Sequence, residues 1–173
     1  MKKILFSMMA IAGLFASCQA NLEPVVVDEV ATVSFEVETP QIATRAYSDG
    51  TTATVLQYAV YDAAGNELTG FTVRDGEIHG STSVNLQLTT GNTYSVIFWA
   101  AAPNAPYTVD FGAKRMTVDY TSAVSNDETR DAFCKLHTFT VPDQATFDET
   151  VVLKRPFAQI NFGAADFAQI DEL

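Results

Sequence analysis

Along most of the chain, apolar and polar residues alternate one by one. In ATVSFEV, residues 31–37, Val33, Phe35 and Val37 fall on one side and Thr32, Ser34 and Glu36 on the other. That period of two is what a half-buried strand imposes. It recurs in VLQYAVYD, where Leu56, Tyr58 and Val60 are in phase, and in LTGFTVR. It recurs again in SVNLQLTT (Val84, Leu86, Leu88), TYSVIFWAA (Tyr94, Val96, Phe98), KLHTFTV, TVVLKR and FAQINFG. Turn-forming residues separate these runs: Ala64-Gly65-Asn66, Asp75-Gly76, Thr90-Gly91-Asn92, Pro103-Asn104 and Pro142-Asp143. The gaps are mostly too short for the crossovers of about a dozen residues or more that a parallel α/β fold needs. The pattern therefore predicts an all-β protein built as an antiparallel β-sandwich. Only the stretch from Pro103 to Arg130 is irregular, and it leaves open a long crossing loop, a short helix, or an edge strand around Met116 to Tyr120.

The first residues follow a different pattern. Lys2 and Lys3 precede a continuous small and apolar run from Ile4 to Ser17, which ends at Cys18. A spanning helix needs roughly 20 apolar residues, so this run reads as a secretory signal peptide over residues 1–17. The sequence Leu14-Phe15-Ala16-Ser17-Cys18 resembles the lipobox of bacterial lipoproteins, with Phe15 where that pattern more often has Leu. The resemblance implies lipidation at Cys18; residues 18–30, with a proline and few core-like positions, then read as a tether, and residues 31–173, where alternation begins, as a folded β-sandwich domain. Loss of the leader removes two of the ten Lys+Arg residues against 21 Asp+Glu, taking the formal net charge from -11 to -13. Such a surface repels nucleic acid and anionic headgroups, so membrane attachment is expected through the lipid alone. Cys134 is then the one remaining free thiol, and the domain is expected to hold together by its core rather than by a disulfide.

Catalytic chemistry is sparse. Cys134 and His137 look like a ligand pair, but residues three apart on a strand point to opposite faces, and no second pair completes a zinc site. Cys134 reads as a small core residue. Asp127/Glu128 and Asp148/Glu149 read as solvated turn charges. The sequence contains no nucleophile elbow, phosphate-binding glycine loop or calcium loop. Neither enzymatic activity nor a metal or cofactor is expected. Trp99 sits in an alternating strand, where core packing is the default; with Tyr107 nearby in sequence, it becomes a glycan platform only if it faces outward, opposite Phe98.

Taken in order, the lipobox Cys18, the short N-terminal strand, the arginine of ATRA, the LQYAVYDAAGNEL hairpin and the late LKRPFAQINFG strand resemble the fimbrillin-type surface lipoproteins that build type V pili. The resemblance runs from Cys18 to Phe162. It implies a transthyretin-like Greek-key β-sandwich carried to the cell outer membrane and exposed at the surface. It also implies cleavage of the Arg45-Ala46 bond by a trypsin-like protease, departure of the strand carrying Val33, Phe35 and Val37, and its replacement by a strand from another pilus or surface subunit. The residues around that bond suit cleavage: from Ala43 to Thr52 the side chains are small, Asp49-Gly50 favours a turn, and Tyr47 is the one large apolar anchor. Without the resemblance, Arg45 reads as a solvated loop residue. Subunits of that family continue into a second β-sandwich and a segment able to act as donor, whereas this chain stops at FAQIDEL. A terminal, anchoring or accessory role is therefore as fitting as that of a stalk subunit. Two functions follow: a structural and adhesive surface lipoprotein, or a membrane-anchored lipoprotein that binds a glycan or other ligand.

Overall fold

The computed structural model describes residues 29–40, 50–122, 124, 127 and 130–157. The expected leader, Cys18, nearly all of the tether, Glu128, the Arg45-Ala46 bond and the FAQINFG run beyond Phe157 lie outside the described residues. Among the described residues nine strands follow in chain order: β1 Val30–Glu38, β2 Val55–Tyr61, β3 Val73–Glu77, β4 Ser81–Thr89, β5 Thr93–Ala101, β6 Tyr107–Asp110, β7 Arg115–Val118, β8 Ala132–Thr140 and β9 Thr146–Val152. Among the described residues there is no α-helix; a 3-10 turn lies at Thr69–Phe71.

The strands form a three-stranded sheet in the order β4-β1-β9, a four-stranded sheet in the order β3-β2-β5-β8, and the separate β6-β7 hairpin. The two larger sheets face each other across one core. Ala31, Val33, Phe35, Val37, Val84, Leu86, Leu88 and Val151 come from the first sheet, and Leu56, Val60, Val96, Phe98, Phe133 and Phe139 from the second. The all-β expectation holds, and pairing is antiparallel except between β1 and β9, which run parallel. Three runs differ in detail. In LTGFTVR, the chain first makes the 3-10 turn and becomes a strand only from Val73. The strand anticipated as TVVLKR begins four residues earlier, at Thr146. The irregular stretch supplies β6 and β7, whose hairpin lies on the outer face of the four-stranded sheet and covers the residues that alternate away from the main core.

That outer layer buries Tyr61, which packs with Ala59 and Phe111. Its phenol donates a hydrogen bond of 2.7 Å to the carbonyl of Phe111. Burial pushes the Tyr61 phenol up to about 12, with Glu67 and Asp110 adding to the rise and Arg74 opposing it. Burial also raises Tyr58 and Tyr107. A phenol whose folded value lies above its unfolded value keeps its proton when the unfolded chain has lost it. Its stabilising contribution is intact below about pH 10 and is lost as the pH rises towards about 12. Stability followed by urea unfolding is expected to fall across that window, and Tyr61→Phe is expected to make the fall shallower.

Candidate functional site

The strand singled out from the sequence, β1, occupies the middle of its sheet. It pairs antiparallel with β4 from Val30↔Thr89 to Glu38↔Ser81, and parallel with β9 from Thr32↔Thr146 to Glu38↔Val152. Both edges of its backbone are therefore hydrogen bonded, as a strand between two neighbours must be when its polar groups are hidden from water. Its inward residues, Ala31, Val33, Phe35 and Val37, are completely buried. The Phe35 ring meets Phe98, Phe139 and His137 edge-on, at centroid distances of 5.7, 5.0 and 5.7 Å. Its outward residues are polar: Thr32 accepts a hydrogen bond from Gln87, and Glu36 accepts one from Ser83, both at 2.8 Å. Hydrogen bonds from Ser81 and Ser83 hold the Glu36 carboxyl below its usual range.

Burying Val33, Phe35 and Val37 stabilises the fold by roughly 1.5–3 kcal/mol each. A whole domain is typically stable by only about 5–15 kcal/mol. Removal of β1 would therefore weaken the domain severely and open a slot between β4 and β9, two strands that would each gain an unpaired edge. At its far end β1 gives way to Thr39, whose amide donates to the Gly80 carbonyl at 2.8 Å, and to Pro40. The chain returns at Gly50, where φ is +87° and a Cβ would lie 3.0 Å from the Phe133 ring, so this position requires glycine.

Cys134 and His137 do face opposite sides of β8. Cys134 packs beside Trp99 and Ala101 on the outer face, and burial raises its thiol, which makes it a poorer nucleophile. His137 faces the core side, stacked on Phe139. Asp148 and Glu149 are not turn residues: they belong to β9, and Glu149 turns inward to meet His137 Nε2 at 2.9 Å. The sequence signal for this was the alternation Phe147, Glu149, Val151, which places a carboxylate in phase with core positions. Asp127 pairs with Arg130 at 2.9 Å. Among the described residues, no group of three or more His, Cys, Asp or Glu could hold a metal ion.

Trp99 does point away from the core, opposite Phe98, but it is only 6% exposed. The Tyr107 ring lies edge-on to it at 5.4 Å, and Val109 and Met116 of the β6-β7 hairpin complete its cover. A recess of about 210 Å³ beside it is bounded by Val55, Gln57, Ala101, Asn104 and Tyr107.

A family model described as "Family of unknown function (DUF6562)" matches residues 25–173. No curated protein matches the sequence. Among the solved structures that match, two are similar over 72% of this chain. One is a proposed polysaccharide-binding protein (DUF1812) from Bacteroides thetaiotaomicron, at 14% identity and a TM-score of 0.43, with 47% of that chain covered. The other is a fimbrial assembly protein from Parabacteroides distasonis, at 17% identity and a TM-score of 0.35, with 51% of that chain covered. The chain thus spans about half the length of the solved structures it matches.

Proposed function

The chain belongs to the DUF6562 family, a family of unknown function, and from the placement of β1 we propose that it is a surface-exposed structural and adhesive lipoprotein, a fimbrillin-like subunit that accepts a strand from another subunit. The observation that carries this reading is a central strand with a fully buried inward face at the start of the domain, followed within ten residues by Arg45. A single cut after β1 separates it from all the strands that follow. In this reading the lipid on Cys18 carries the chain to the outer membrane, residues 31–173 form a transthyretin-like Greek-key domain, and cleavage at Arg45-Ala46 lets β1 leave. The incoming strand restores the backbone ladders to β4 and β9 and refills the pocket under Phe98 and Phe139, which is β-augmentation used for assembly.

The test is the intact mass and N-terminal peptide of the protein isolated from its native cells, with and without an inhibitor of trypsin-like proteases. A form beginning at Ala46 that disappears with the inhibitor is the expected result. A chain that always begins at a lipidated Cys18 and is always monomeric would overturn strand acceptance.

The recess beside Trp99 favours a second reading, a glycan- or ligand-binding lipoprotein. Trp99 is the one tryptophan, so its fluorescence reports on that recess alone. Under this reading a glycan panel shifts the emission; under the first, emission stays constant across the panel.

A further inference from the structure

We propose that both walls of the β1 slot are anchored to the opposite sheet independently of β1, so that the slot persists as a preformed receptor when β1 leaves. The role as a receptor rests on the strand-acceptance reading above, while the anchoring itself does not. A strand whose only partner is β1 would be expected to fray once β1 is gone, and β9 pairs with nothing else in its own sheet. Its attachments to the four-stranded sheet are nevertheless spread along its whole length.

At its start the Phe147 ring stacks with Phe139 of β8. Midway, Glu149 meets His137 at 2.9 Å across the open side of the sandwich. Just past its end the chain crosses to β8: Cys134 and Lys154 exchange two main-chain hydrogen bonds of 2.7 and 3.0 Å. One residue further, Arg155 pairs with the buried Asp131 at 2.6 Å, and its guanidinium lies 4.6 Å from the Phe133 ring centroid. Phe139 and His137 also meet Phe35 of β1, whereas the Cys134–Lys154 bonds and the Arg155–Asp131 pair use no β1 residue.

The other wall is anchored through its turns. The corner before β4 is held by the Ile78 amide, which donates to the Thr54 carbonyl at 3.0 Å beside β2, with the Ile78 side chain buried. The turn after β4 contains Gly91, at φ +73°, whose amide donates to the Val141 carbonyl at 2.8 Å, and it leads directly into β5. Each wall is thus tied to the four-stranded sheet at both ends, and the gap between them is set by that sheet rather than by the strand that fills it. A receptor of this kind need not be rebuilt before an incoming strand docks, which lowers the cost of ordering at the moment of binding.

Residue-resolved amide exchange on the full chain tests the anchoring. In the parent chain the β1 amides are expected to be about tenfold or more less protected than the Cys134 and Lys154 amides, because β1 detaches while those two stay bonded. Equal protection of all of them would overturn the proposal. A second measurement uses the chain cut after Arg45 and a fluorescent synthetic peptide of residues 30–38. The double variant Asp131→Asn with Glu149→Gln is expected to take up the peptide about tenfold more slowly than the parent cut chain, with an unchanged circular dichroism spectrum. Equal uptake by both would overturn the proposal. If the parent cut chain takes up no peptide, strand acceptance fails and the receptor role fails with it, whereas the amide exchange still decides the anchoring.

Discussion

Replacing Phe35 with alanine is expected to destabilise the domain by about 3–5 kcal/mol, the range typical of a fully buried phenylalanine truncated in a core that cannot collapse around the gap. Collapse is restricted here because the ring sits between two sheets, touching Phe98 and Phe139 from one sheet while its own backbone is fixed on both sides by β4 and β9. Urea unfolding followed by far-ultraviolet circular dichroism would measure it. A loss below about 1 kcal/mol would mean that β1 contributes little to the core, and the slot would lose its significance as a site. Phe35→Leu, which keeps most of the apolar volume, is expected to cost clearly less than Phe35→Ala.

Trp99→Ala is expected to cost a comparable amount, again about 3–5 kcal/mol. Its ring is the floor on which the β6-β7 hairpin rests: Tyr107, Val109 and Met116 all pack against the cluster it forms with Ala101 and Ala132. Removing it would leave that hairpin held chiefly by the Tyr61 and Phe111 cluster at its other end. The same unfolding experiment measures this, with circular dichroism as the signal because the variant has no tryptophan. A surface platform that stacks sugars would behave otherwise, since its truncation would abolish binding at almost no cost in stability. A large stability loss therefore identifies Trp99 as a structural residue.

Much of the molecule was legible in the sequence because strand formation leaves a local signature. Alternation at period two marked β1, β2, β4, β5, most of β8 and the end of β9, and named inward residues of the first four, since a side chain on a strand has only two faces to choose between. The opposite orientation of Cys134 and His137 followed from the same rule. The charge and the presence of an arginine after β1 were likewise readable one residue at a time.

Pairing was not. Nothing in ATVSFEV states that β1 lies between β4 and β9, or that it runs parallel to β9, because both neighbours lie far away in sequence and the alternation of an edge strand and a central strand is the same. Asp148-Glu149 resembled a turn, and only the tertiary fold made Glu149 an inward carboxylate bound to His137. The outward direction of Trp99 could be framed from the sequence, but the hairpin that covers it arises from the stretch with the weakest pattern. The sequence by itself determined which residues form strands and which faces seek the core, since hydrophobic burial acts on each side chain through its own period. The tertiary structure alone decided which strand became central, what encloses Phe35, and how β9 is held, because those depend on partners that only folding brings together.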